Sequence, residues 1–157
     1  MLLHINHPSQ NCLGSLNITG SKSETNRLLL LQALYPGLMI ENRSNSDDSV
    51  SMNRALTTDS NLIDIHHAGT AMRFLTAFFA TQEGREIVLT GSSRMQERPI
   101  GILVDALRKL GAQISYEKKE GYPPLRISGK VLKGGAVSLP ANISSQYISA
   151  LLLIAPH

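Results

Sequence analysis

The chain has 157 residues, 42% hydrophobic and 17% charged, a balance that supports one ordinary globular core and excludes disordered and collagen-like classes. Fifteen Lys and Arg against twelve Asp and Glu give a formal charge of +3 without the dense basic runs of a nucleic-acid arm, and 4% aromatics with no Trp supply little base-stacking surface. The single cysteine, Cys12, excludes an internal disulfide framework and a cysteine-rich zinc site, fits a reducing compartment and reads as a small buried residue. Runs such as "LLLLQAL" and "ISALLLIA" are too short to span a bilayer, and "MLLHINHPSQ" lacks the layout of a signal peptide. A cytoplasmic location is expected, with neither nucleic acid nor membrane as partner.

In chain order, alternation in "LLHIN" and "SLNIT" predicts two early strands, the second bounded by Gly14 and Gly20. Ser21, with Glu24 three residues on, starts a helix from about Lys22 to Leu34 that stops at "YPG". "LMIEN" predicts a strand and "SNSDDSVSMNRALTT" a capped helix with Asp47 and Asp48 in its first turn, where an N-capping role is expected of them in preference to an acid/base pair. "NLIDI" predicts a strand, "HHAGTAMRFLTAFFATQEG" a helix, "REIVLTG" a strand, and "PIGILVDALRKLG" a helix opened by Pro99 and closed by Gly111. "AQISYEK", "PLRISG" and "GAVSLP" predict strands, and "NISSQYISALLLIAP" opens a last helix. The apolar runs "LLLLQAL" and "MRFLTAFFA" have too little polar surface for outer helices and predict burial.

Four strand-to-helix junctions share one design: "GSKSETNR", "HHAGTAMR", "GSSRMQERP" and "NISSQY" each combine free backbone N–H groups with hydroxyls or cations. A cation at a helix N-terminus is locally unfavourable by a few tenths of a kcal/mol, roughly, unless an anion is bound there. Lys22 and Arg27 therefore point to a phosphate or carboxylate ligand. Ser23 and Arg27 lie four apart on one helical face, as do Gly69 and Arg73; Arg94 and Arg98 have the same separation in a stretch that fits loop as well as helix. Adjacent His66 and His67 without a third ligand spacing do not read as a metal site, and the glycine-rich nucleotide signatures are absent.

Taken in order, "GSKSETNR", "HHAGTAMRFL", "SSRMQERPIGILVDALRKLGA", "YPPLRI" and "NISSQYISALLLIAP" resemble the 5-enolpyruvylshikimate-3-phosphate synthase family over nearly the whole chain from Gly20 onward. The resemblance implies transfer of the carboxyvinyl group of phosphoenolpyruvate to the 5-hydroxyl of shikimate-3-phosphate with release of phosphate, by addition and elimination, without metal or organic cofactor. It implies a mixed α/β (α+β) fold: an inside-out domain of repeated βαβαββ units, sheets outside and helices within. Carried over by position, Lys22 is the candidate catalytic residue and contacts both substrates, while Ser23 and Arg27 contact shikimate-3-phosphate. Gly69 and Thr70 border phosphoenolpyruvate, Arg94 grips its anionic groups, Ser144 and Ser145 hold the 3-phosphate, and Gln146 touches both ligands.

Two departures stand out. The family usually has Asn where this chain has His67, and the stretch from Asn42 to Asn61 is shorter than the family pattern. The resemblance further implies that residues 1–157 form most of the first domain of a two-domain enzyme, that the second domain with its proton-transfer groups is the missing partner, and that the piece alone is inactive. A UDP-N-acetylglucosamine enolpyruvyl transferase-like enzyme shares the fold but uses a loop cysteine, which Cys12 does not match. A non-catalytic anion-binding module is the alternative from another class.

Overall fold

The protein is described by a computed structural model covering residues 2–4, 6, 8, 11, 13–140, 142 and 144–157. Cys12, and with it the reading of a small buried thiol, lies outside the described residues. Among the described residues six helices and four strands are formed: α1 (Lys22–Leu34), α2 (Asp47–Thr57), β1 (Leu62–Asp64), α3 (Gly69–Thr81), β2 (Glu86–Thr90), α4 (Ser93–Gln96), α5 (Gly101–Lys109), β3 (Gln113–Tyr116), β4 (Leu125–Ser128) and α6 (Ser145–Ile154).

From β1 to β4 the order is one βαβαββ unit, with the short α4 inserted before α5. Its sheet runs β1-β2-β4-β3. β1 and β2 are parallel, with Leu62 opposite Val88, as a crossover through α3 requires. β4 is antiparallel to both neighbours, Ile127 facing Ile87 on one side and Ile114 on the other. Ile63, Ile87, Leu89, Ile114, Leu125 and Ile127 turn inward and are buried, while Arg126 on the outer face pairs with Glu117 at 2.7 Å and Glu86 at 3.2 Å. The sheet therefore has one wet and one dry face, and the dry face is covered by helices.

α3 is the centre of the core. Ten of its thirteen residues are buried, and it packs against α1, α2, α5, α6 and the sheet. A helix this apolar all round has no solvent side to offer, so sheet and helices close over it. Phe74, fully buried, contributes about 2–3 kcal/mol of transfer free energy by itself. The burial expected for "MRFLTAFFA" is found. That expected for "LLLLQAL" is found only in part, because α1 buries Leu29 and Leu30 on one face and leaves Leu28, Leu31 and Leu34 half-covered.

Several expected strands are not formed. Residues 2–4 and 6 show no strand, and neither do 15–19, 38–42 or 135–140. Alternation prepares a segment for a half-buried sheet position, but a strand exists only where a neighbour satisfies its N–H and C=O groups. Here 15–19 and 38–42 touch only at one end, through Gly20 N–H to Asn42 O at 2.9 Å and Asn42 Nδ2 to Ile18 O at 3.5 Å. Leu16, Ile18 and Met39 stay exposed. These segments and α1 and α2 repeat the first half of the βαβαββ order, yet only residues 58–61 separate α2 from β1, where a complete repeat would place two more strands. A hollow of about 330 Å³ opens beside that junction, lined by Arg54, Thr58, Leu62 and Asp64 among others.

The helix expected from Pro99 begins two residues later, at Gly101. Ile100 and Gly101 both donate to Gly121 O, at 2.9 and 3.1 Å, and Pro99 O accepts from Tyr147, so this entry segment is engaged by neighbours before the helix closes its first ring. Gly111 follows the helix at φ +103°, the left-handed conformation that its missing side chain permits.

Candidate functional site

The predicted site residues all stand at helix starts. Ser21 caps α1 by accepting from Glu24 N–H at 3.4 Å, Ser92 caps α4 through Met95 N–H at 3.4 Å, and Ser144 caps α6 through Gln146 N–H at 3.3 Å. α3 differs: its N-cap is Ala68, with no side chain able to accept. At α2 the cap is Ser46, so Asp47 and Asp48 occupy the first turn rather than the cap itself.

Three contacts tie these starts together. Gln146 Nε2 lies 3.3 Å from Thr70 Oγ1, joining α6 to α3. Arg27 Nη2 donates to Ser149 Oγ at 3.3 Å, joining α1 to α6. Ser92 N–H donates to His66 O at 2.9 Å, joining α4 to the turn before α3. His66 itself sits at φ +51°, its N–H accepted by Asp64 Oδ1 at 2.7 Å, which is how a non-glycine residue is held in that turn. A further bond, Tyr147 Oη to Pro99 O at 2.7 Å, fastens α6 to the segment after α4.

Two of the three four-residue spacings read from the sequence are used, while Arg94 and Arg98 share no helical face because α4 ends at Gln96. Arg27 Nη1 donates back to Ser23 O and Arg73 Nη1 to Gly69 O, each at 2.7 Å. Each guanidinium also lies over an aromatic ring, Arg27 over Phe74 and Arg73 over Tyr147, both with Cζ 5.5 Å from the ring centroid. These arginines are thus oriented by backbone and ring before any ligand arrives.

Other predicted residues are left open. Lys22, Ser23 and Ser145 are exposed in the first turns of α1 and α6, and Arg94 is exposed in α4. Among the described residues none of these four side chains has a hydrogen-bond or ion-pair partner. Gly69 is buried, and Thr70, Ser144 and Gln146 are half-buried. The structure therefore links Thr70 with Gln146 and Arg27 with Ser149 through side chains, and among the described residues leaves Lys22 and Arg94 as cations without a protein acid. His67 lies with Nε2 3.8 Å from Asp47 Oδ2, both side chains largely exposed, so α2 also reaches this region.

Two residues that the carried-over site omitted belong to the same place. Arg73 was visible through its spacing from Gly69. Tyr147, next to Gln146, carried no sequence signal beyond its position, and only the fold brings its hydroxyl to Pro99.

A βαβαββ sheet backed by a buried central helix, with cations and hydroxyls gathered at neighbouring helix starts, defines an α/β module whose helix starts carry chemistry suited to anions. The sequence profile of EPSP synthase (3-phosphoshikimate 1-carboxyvinyltransferase) matches residues 39–157. The chain belongs to that family. It is 51% identical over 150 residues to the 3-phosphoshikimate 1-carboxyvinyltransferase of Bacteroides fragilis strain YCH46, covering 95% of this chain and 36% of the relative. The relative named in the same words from Pseudoalteromonas atlantica is 43% identical over 177 residues, covering 96% of this chain and 41% of its own length. In fold, the chain matches EPSP synthase from Acinetobacter baumannii with a TM-score of 0.74 at 24% identity, over 89% of this chain and 37% of the other. The chain thus spans well under half the length of the relatives it matches.

Spanning 177 positions with 96% of a 157-residue chain leaves roughly two dozen positions of the Pseudoalteromonas relative without counterpart.

Proposed function

We propose that this chain is part of an enzyme that transfers the carboxyvinyl group of phosphoenolpyruvate to the 5-hydroxyl of shikimate-3-phosphate, releasing phosphate. The observation that carries the reading is the convergence of the starts of α1, α3, α4 and α6 through Gln146–Thr70, Arg27–Ser149 and Ser92–His66, with Lys22 and Arg94 unpaired among them. Two polyanionic substrates need such a collection: helix N–H groups and hydroxyls to accept phosphate and carboxylate oxygens, and cations to offset their charge.

In this reading Lys22 lies between the two substrates, and Ser23, Arg27, Ser144 and Ser145 hold shikimate-3-phosphate. Gly69, Thr70 and Arg94 hold phosphoenolpyruvate, and Gln146 spans both. The substrates do the bond-making: the 5-hydroxyl oxygen adds to the central enol carbon as it gives up its proton and the methylene carbon takes one up to become a methyl, and loss of phosphate together with one methyl proton then restores the vinyl group. The helix starts orient the anions and offset charge as it redistributes. Proton transfer is assigned to groups beyond this chain, in a second domain that residues 1–157 would face as most of the first. The location is taken as cytoplasmic; among the described residues no helix is long and apolar enough to cross a membrane.

The test is a phosphate-release assay on the full-length enzyme with both substrates. Lys22→Ala should lower kcat/KM about ten- to a hundredfold, the effect of losing one charge-assisted contact, while Lys109→Ala, an exposed cation in the last turn of α5, should change it little. Equal effects at both positions would remove the site assignment, and no turnover by the unmodified enzyme would remove the function. The isolated chain should bind shikimate-3-phosphate weakly and release no phosphate.

A further inference from the structure

The turn between β1 and α3 is one that its own sequence does not favour. His66 occupies φ +51°, a left-handed conformation that glycine takes freely and a residue with a side chain takes at a cost. Its imidazole is exposed and, among the described residues, makes no hydrogen bond or ion pair, so nothing in the side chain accounts for the residue. Its main chain is engaged on both sides. The N–H is accepted by Asp64 Oδ1 at 2.7 Å, and the carbonyl accepts Ser92 N–H at 2.9 Å. Room for that carbonyl comes from Gly91, where an added methyl would stand 2.5 Å from His66 O. Both flanks are fixed as well: Ile65 N–H donates to Thr90 O at 3.1 Å, and Arg54 Nη2 donates to Asp64 O at 2.9 Å. The turn thus fastens the start of α3 to the start of α4, and just beyond α4 the Arg98 guanidinium lies against Gly69. The Asp64 carboxylate, for its part, makes no other hydrogen bond and no ion pair among the described residues.

A carboxylate bonded to the N–H two residues on is a local device that stabilises such a turn. We propose that Asp64 is a positioning residue of the candidate site: it holds His66 in the left-handed turn, and His66 O then sets the start of α4, which carries Arg94, against the start of α3. Asp64 itself contacts no ligand and acts only through the backbone of residue 66. Its importance is therefore conditional. A histidine at 66 needs the carboxylate, whereas a glycine there would not. Removing a negative charge near an anion site would by itself tighten anion binding, so the weakening expected on loss of Asp64 has the opposite sign to a plain charge effect. The identity of the affected ligand, phosphoenolpyruvate, rests on the proposed function; the coupling of the two helix starts rests on the turn itself.

The experiment is a double-mutant cycle in the full-length enzyme with Asp64→Ala, His66→Gly and the pair, and with Asp64→Asn beside them. KM is measured for both substrates, and inorganic phosphate binding is measured by calorimetry on the same proteins without turnover. Asp64→Ala should raise the KM for phosphoenolpyruvate and the Kd for phosphate about fivefold, leaving the KM for shikimate-3-phosphate within about twofold. Asp64→Asn keeps the acceptor oxygen without the charge and should stay within about twofold of the parent throughout. His66→Gly should do the same, and in the His66→Gly background the further change Asp64→Ala should cost less than about twofold. If Asp64→Ala alone does not fold, recovery of folding in the pair reports the same rescue, and failure to recover overturns the proposal. Unchanged or tighter phosphoenolpyruvate and phosphate binding in Asp64→Ala would overturn it too, as would equal losses for both substrates or an asparagine variant as impaired as the alanine one. A loss of affinity in His66→Gly alone would also sink it, because the imidazole itself would then serve the site. Absence of turnover in the unmodified enzyme would count against the function instead, and the phosphate Kd values would still decide the role of Asp64.

Discussion

Tyr147→Phe isolates one atom of the fastening between α6 and the segment that leads into α5. The ring is buried, 5% exposed, and Phe keeps both its packing and the face it offers to Arg73, so the change removes only the hydroxyl and its 2.7 Å bond to Pro99 O. Pro99 is itself exposed, so water can replace the lost donor, and the cost belongs near the net value of a hydrogen bond, about 1 kcal/mol, rather than that of a stranded carbonyl. For a chain of this size that is a fall of about 2–4 °C in Tm, read by far-ultraviolet circular dichroism on heating. Tyr147→Ala also empties the ring's place between α6 and the core and should cost about 3–5 kcal/mol. A Tm unchanged to within measurement error would show that the hydroxyl fastens nothing. Equal losses for Phe and Ala would show that the ring contributes nothing beyond it.

Two more predictions concern the βαβαββ unit. Burial raises the Tyr116 phenol above its usual 10.0, and the Arg108 guanidinium over its ring opposes but does not cancel the shift. The folded chain thus keeps this proton longer than the unfolded chain, so the associated stability is complete below about pH 10 and lost as pH rises through the folded value; Tyr116→Phe should flatten that alkaline loss in denaturant titrations run across the window. Gly129→Ala would drive a methyl into the backbone carbonyl of Gln82 and to 2.7 Å from Phe79 O, where nothing flexible can yield. A loss of about 3 kcal/mol or more is expected, whereas Gly37→Ala, with open space around it, should leave the melting curve nearly unchanged; similar curves for the two would contradict the packing described.

The sequence made the helix starts legible because their chemistry is local. A serine hydroxyl and an N–H three residues on need only one turn of chain, and Ser21 caps α1 as its spacing from Glu24 predicts, although at α2 the cap is Ser46 and not Asp47 or Asp48. The back-bonding of Arg27 and Arg73 is likewise contained within four residues. Strands at 15–19, 38–42 and 135–140 were misread because alternation records only which face a segment could bury, while pairing depends on a neighbour far away in sequence. The meeting of Arg98 with Gly69 was out of reach for the same reason. It depends on the left-handed turn at His66 that carries its carbonyl to Ser92, and no periodicity announces such a turn.

The burial of α3 on every side governs where this protein can change. A residue on an ordinary amphipathic helix has a solvent-facing direction in which substitutions drift freely, but Met72, Phe74, Leu75, Ala77 and Phe79 have none. The helix that begins at Gly69 and Thr70 is thus the least editable part of the molecule, and a substitution among its buried residues reaches that first turn only by disturbing the interior. Adjustment of ligand preference, by selection or by design, is channelled into the open first turns of α1, α4 and α6. There Lys22, Arg94 and Ser145 already face water, and a new side chain has somewhere to go.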